Sequence, residues 1–147
     1  MAVTWSTRQK QAVIEDRSRP ALRVLVVDDD DEMRILLRKM LESDGCQVTE
    51  RDRGMHVLEA LRSAPIDLII LDKEMPGLTG LDLLPLLRRE FPEVPVVFVT
   101  AFGGRQVAAS ALRPGATSYL EKPFRLGQLR DVIDGLISRP ADESRAS

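Results

Sequence analysis

The chain predicts an α/β domain built on a mostly parallel sheet covered on both faces. Short, continuously apolar runs, the pattern of strands buried on both sides, alternate with segments whose apolar residues recur at helical spacing. Between two tails the alternation repeats as β-α units, and the chain shows no internal repeat or low-complexity tract. At 147 residues the chain has the length of one domain, enough for a real core.

Each element has its own signal. Residues 1–20 are polar and locally basic, end at Pro20, and read as an N-terminal tail with a short helix over 7–16. The domain spans 21–138. Its first strand, 22–27, is continuously apolar. Met33, Leu36, Leu37, Met40 and Leu41 share one face of a helix over 31–43, which Gly45 stops. Residues 46–51 alternate weakly, as a shorter strand does, and 54–62 are helical in pattern. A buried strand over 66–71 follows Pro65. The helix over 81–90 contains Pro85, which should kink or shorten it. A strand over 94–100, a short helix over 104–112, a short strand over 117–120 and a final helix over 125–137 complete five strands and five helices. Residues 139–147 read as a C-terminal tail.

Composition removes several classes of function. A net charge of −2 argues against bulk electrostatic binding to nucleic acid or an anionic membrane. The lone Cys46 excludes an internal disulfide and suits a reducing compartment. No apolar run approaches the roughly 20 residues of a membrane span, and the N-terminus lacks the pattern of a signal peptide. A cytoplasmic location is the expectation.

In open parallel sheets, ligands bind beyond the carboxyl ends of the strands. That rule selects Asp28 and Asp29, Arg51, Asp72, Thr100 and Lys122. If the first and third strands are neighbours, Asp28, Asp29 and Asp72 converge and repel, and a hard cation relieves them. Magnesium takes oxygen ligands, commonly one or two carboxylates plus a phosphate. Asp29 and Asp72 can supply carboxylates, Asp28 can act partly through water, and a backbone carbonyl near Glu74 can add an oxygen. Asp72 can attack phosphorus, while Lys122 and Thr100 supply charge and a hydroxyl to the phosphoryl oxygens. Each residue also has a plainer reading. The acidic run can cap the next helix, which suits Asp30 or Asp31; Asp72 can be a turn residue, Thr100 a cap and Lys122 a solvated lysine. Their coincidence at strand ends favours a site. His56 reads as a surface or packing residue, Cys46 as a buried small apolar one, and Trp5 belongs to the tail.

Four stretches carry a family resemblance. They are Val24-Leu-Val-Val-Asp-Asp-Asp-Asp-Glu-Met-Arg34, Leu71-Asp-Lys-Glu-Met-Pro-Gly-Leu-Thr-Gly80, Val96-Val-Phe-Val-Thr-Ala101 and Gly115-Ala-Thr-Ser-Tyr-Leu-Glu-Lys-Pro-Phe124. In this order, at strand ends, they resemble the receiver domain of bacterial response regulators over roughly 21–138, in the manner of a stand-alone, chemotaxis-type regulator. The resemblance implies a flavodoxin-like, doubly wound sheet of order 2-1-3-4-5. It implies Asp72 as phosphoacceptor and Asp28, Asp29, Asp72 and the Glu74 carbonyl as magnesium ligands. Thr100, Ala101 and Lys122 become phosphate contacts, Thr100 and Tyr119 the switch pair, and the Lys122–Pro123 bond is open to a cis form. It also implies a sensor histidine kinase or histidine phosphotransfer protein as donor, a downstream protein as target, and a homodimer through the face of the fourth helix, fifth strand and fifth helix. A receiver of this kind catalyses only its own phosphorylation and dephosphorylation. Gly103 and Gly104 would free the loop after Thr100, and Glu74 would add a negative charge beside the phosphate. Few residues follow the domain, so the expected output is another protein rather than an attached module. The competing readings are a receiver from a longer regulator with a DNA-binding or ATPase domain, a magnesium-dependent aspartyl-phosphate phosphatase, and a receiver-like module that is not phosphorylated.

Overall fold

The structure, a computed structural model, describes residues 21–75, 77–101 and 118–146, and side-chain surroundings as far as Ile137. The expected N-terminal tail with its short helix, the helix over 104–112 and the Gly103–Gly104 loop lie outside the described residues. Five parallel strands form one sheet: β1 (Arg23–Val27), β2 (Gln47–Arg51), β3 (Leu68–Asp72), β4 (Val96–Thr100) and β5 (Ser118–Glu121), in the order β2-β1-β3-β4-β5. Four α-helices are described: α1 (Asp31–Ser43), α2 (Val57–Ser63), α3 (Gly80–Glu90) and α4 (Leu126–Ala146). A 3₁₀ turn, Gly54–His56, leads into α2. None of the described helices is long and apolar enough to cross a membrane.

The alternation of side chains along each strand builds two cores. Leu25, Val27, Ile69, Leu71, Val96 and Phe98 point to one face and pack with Val57, Leu61, Leu83, Leu84 and Leu87 of α2 and α3. Val24, Val26, Leu68, Ile70, Val97 and Val99 point to the other and pack with Leu37, Met40 and Leu41 of α1 and Leu129, Ile133 and Leu136 of α4. Strands buried on both faces must be apolar throughout, which is why β1, β3 and β4 show no polar alternation.

Local chemistry sets the helix ends. Asp30 caps α1, its carboxylate accepting from the Glu32 and Met33 amides at 3.0 and 3.4 Å, and Asp31 and Glu32 lie in the positive first turn. Gly45, at φ 91°, ends α1 in the left-handed conformation that favours glycine. Thr79 and Asp82 form a reciprocal capping box at the start of α3.

Most elements fall within three residues of expectation, and three features have a physical reason in the structure. β3 starts at Leu68 because Asp67 turns aside to pair with Arg23, accepting from its backbone N–H at 2.8 Å and its guanidinium at 3.0 and 3.1 Å. That pairing holds the Asp67 carboxyl below the usual carboxylate range. Pro85 does not end α3, which continues to Glu90. The capped start and the burial of Leu83, Leu84 and Leu87 outweigh one missing hydrogen bond on the exposed side. α4 extends through Pro140 to Ala146, across most of the segment read as a tail.

Candidate phosphoryl and metal site

The carboxyl ends of β1, β3 and β4 converge because these strands are adjacent and parallel. The register pairs Val27 with Leu71 and Asp72 with Val99, so Asp28, Asp72 and Thr100 emerge at one edge. These three are the polar residues buried there, 3%, 2% and 0% exposed. Asp29 stands beside them but is exposed. Carboxylate oxygens of Asp28, Asp29 and Asp72 lie within 4.8 Å of one another, a donor set of the hard, oxygen-only kind that suits magnesium.

The cluster is not evenly strained. Burial raises the pKa of Asp28; for Asp72, burial and then the Asp28 charge raise it to about 7. Lys122 Nζ lies 3.4 Å from Asp72 Oδ1 and 3.5 Å from Asp28 Oδ2 and offsets part of the repulsion. Burial works against its charge, but Asp28 and Asp72 outweigh that and raise its pKa. The lysine reaches the site from the end of β5, where the Lys122 N–H donates to the Thr100 carbonyl at 2.7 Å and the Lys122–Pro123 bond is cis.

The first loop is held by two interactions. Asp28 Oδ1 accepts from the Asp30 amide at 2.9 Å. Arg34, on α1, donates to the Asp28 carbonyl at 2.7 Å and also pairs with Asp31 and Glu50. Arg34 was within reach of sequence reasoning, being one turn into α1 from the acidic string, but its link to β2 depends on tertiary neighbours. In the second loop the Glu74 amide donates to Asp72 Oδ1 at 3.3 Å, and Gly77 takes φ 76°.

The predicted residues come together with one unforeseen arrangement. Asp28, Asp29, Asp72, Thr100 and Lys122 share the sheet edge. Glu74, expected to offer a backbone carbonyl and a nearby negative charge, also turns its side chain across the loop. Its Oε2 accepts from the Thr100 hydroxyl at 2.5 Å and its Oε1 from the Ala101 amide at 2.8 Å. Tyr119, in β5, is half-buried, pairs in register with Phe98 and packs on the core of α2 and α3. Away from the site, His56 is exposed. Cys46 is half-buried against the other core, where burial pushes its thiol up to about 11.

The family profile of the response regulator receiver domain matches residues 24–134. The chain is 36% identical over 122 residues to the DNA-binding transcriptional regulator NtrC of Escherichia coli, which covers 83% of this chain and 26% of that protein. It is 32% identical over 121 residues to chemotaxis protein CheY-3 of Vibrio cholerae, covering 80% of this chain and 93% of that one. The chain thus spans about a quarter of NtrC and nearly all of CheY-3. Among solved structures, a response regulator receiver domain protein from Clostridium thermocellum superposes with a TM-score of 0.75 at 30% identity, over 80% of this chain and 95% of that one. Sheet order, the acidic strand ends and the matched profile agree, and the chain belongs to the response regulator receiver domain family.

Proposed function

We propose that this receiver is a phosphorylation-operated switch in which Asp72 accepts a phosphoryl group from a phosphohistidine on a sensor kinase or phosphotransfer protein. The observation that carries the reading is the placement of Lys122 Nζ within 3.5 Å of both buried carboxylates, Asp28 and Asp72, beside the buried hydroxyl of Thr100. A lysine so placed can neutralise charge on a transferring phosphoryl group.

Asp28 and Asp29, with Asp72 and the Glu74 backbone carbonyl, would hold magnesium. The bound ion would favour ionised carboxylates and offset charge on the phosphoryl oxygens. Ionised Asp72 attacks phosphorus; the O–P bond forms as the P–N bond breaks, and the donor imidazole leaves with the electron pair and regains a ring proton. Lys122, the Thr100 hydroxyl and the Ala101 amide then contact the phosphoryl oxygens. In a second displacement water attacks phosphorus, the P–O bond to Asp72 breaks, Asp72 leaves as a carboxylate, and phosphate and a proton are released. The protein catalyses only these two steps on itself. Movement of Thr100 toward the phosphoryl group, with Tyr119 following, would change the surface around β5 and the helices beside it, where a target protein or a second copy can dock.

The similarity to NtrC supports a second reading of the output, in which this receiver controls an attached DNA-binding or ATPase module. Intact mass after incubation with acetyl phosphate and magnesium tests the core of the proposal. Wild type should gain one phosphoryl group and Asp72→Asn none. An unmodified wild type, with this donor and with a phosphohistidine donor, overturns the switch; an adduct on Asp72→Asn overturns the acceptor.

A further inference from the structure

We infer that the Glu74 carboxylate is an intramolecular stand-in for the phosphoryl group, occupying its donors until phosphorylation displaces it. The inference rests on the reading of Asp72 as acceptor and of Thr100 and Ala101 as phosphate contacts.

Both oxygens of one anionic group span consecutive donors at the end of β4: Oε2 accepts from the Thr100 hydroxyl at 2.5 Å and Oε1 from the Ala101 amide at 2.8 Å. A hydroxyl and a backbone amide each carry a single proton. A phosphoryl oxygen on Asp72 can therefore take these hydrogen bonds only if Glu74 gives them up. The bonds are charge-assisted, so the competition is between two anions of similar hydrogen-bonding strength. The Glu74 side chain is 28% exposed and starts from a loop next to Gly77, so it can swing outward without unpacking the core. It then keeps a partner, because Lys73 Nζ lies 3.7 Å from Oε2. Thr100, wholly buried at the end of β4, can then turn its hydroxyl from Glu74 toward the phosphoryl group. Glu74 is thus a positioning residue: it holds the two donors oriented in the resting state and sets how strongly a phosphoryl group must compete for them.

The test uses the full chain, isotope-labelled for NMR, as wild type, Glu74→Gln and Glu74→Ala. In the free protein, Glu74→Ala should shift the Ala101 amide proton upfield and shorten its exchange lifetime. Magnesium alone should leave the wild-type Ala101 amide in place. With magnesium present, half-saturation by beryllofluoride, a phosphoryl mimic, should fall about fivefold in Glu74→Ala, the worth of about one net hydrogen bond. Glu74→Gln should lie between, because its amide oxygen can still occupy one donor. An Ala101 amide indifferent to Glu74→Ala overturns the inference, as does its release by magnesium alone. Equal half-saturation in all three proteins overturns it too, and Gln matching Ala in full would assign the effect to charge rather than to the donors. Absence of an adduct on every protein overturns the Asp72 reading and the Glu74 stand-in with it, an outcome distinct from adducts that form equally well.

Discussion

At the scale of single residues, the acidic edge sorts into unequal parts. Sequence alone makes Asp28, Asp29 and Asp72 three repelling charges and leads to the expectation that neutralising Asp29 relieves the metal-free fold. The structure buries two of them and leaves Asp29 exposed, where water screens its charge. The repulsion therefore lies between Asp28 and Asp72, with Lys122 as counter-charge. Asp28→Asn should raise metal-free stability more than Asp29→Asn, while Lys122→Met should lower it by about 1–3 kcal/mol, the range for removing one partner of a partly buried set. Urea unfolding of the three variants in chelator measures the order directly. A larger gain from Asp29→Asn would mean that burial does not govern the strain. The convergence of these residues was legible from their place at strand ends; the two-oxygen grip of Glu74 on Thr100 and Ala101 was not, because it joins residues far apart in sequence across a loop.

At the scale of elements, β3, which ends in Asp72, is seated against α3 by a close approach. A Cβ on Gly80 would stand 2.7 Å from the Asp72 carbonyl oxygen, 2.8 Å from Phe98 Cε1 and 3.0 Å from Lys73 Cα. Two of these neighbours are backbone and cannot yield without moving the Asp72 loop. Gly80→Ala should cost about 1–3 kcal/mol by overpacking and lower the rate of acetyl phosphate modification. Gly135, on the exposed side of α4, is the control, because a Cβ added there would meet nothing within 4 Å. Gly135→Ala should stabilise by about 0.5–1 kcal/mol, as alanine does in an exposed helix. Thermal melts and modification kinetics on both variants check the pair, and indistinguishable behaviour would refute the close-approach account. The start of α1 was readable because capping is local, as at Asp30. The extent of α3, read as 81–90, was legible too; that Pro85 does not shorten it depends on leucines packing against a sheet several strands wide.

At the scale of the whole molecule, stability and the site are linked through protons. Asp72 has its pKa raised to about 7 in the folded protein, by burial and by Asp28, so between about pH 4 and 7 the native state holds a proton that the unfolded chain has released. The associated stability is complete below the unfolded pKa and is lost as pH rises through the folded one. Metal-free protein should therefore weaken from pH 5 to 8, by roughly 2–4 kcal/mol if Asp72 dominates, and Asp72→Asn should flatten the profile. Magnesium, binding the ionised carboxylates of the native state, should restore stability most at the alkaline end. Melting temperatures across this range, with chelator and with magnesium, provide the measurement. A metal-free profile of the same slope in wild type and Asp72→Asn would remove Asp72 as the cause.

The sequence by itself determined the class of fold, the identity of the strands and the acids, hydroxyl and lysine of the edge. Periodicity is a local property, and strand ends are where an open parallel sheet leaves room for a ligand. Strand order came through the family resemblance. Only the tertiary structure decided which acids are buried, how Lys122 divides its charge between Asp28 and Asp72, and that Glu74 holds Thr100 and Ala101. Those outcomes depend on desolvation and on distances between residues remote in the chain, and both come into being only when the strands lie side by side.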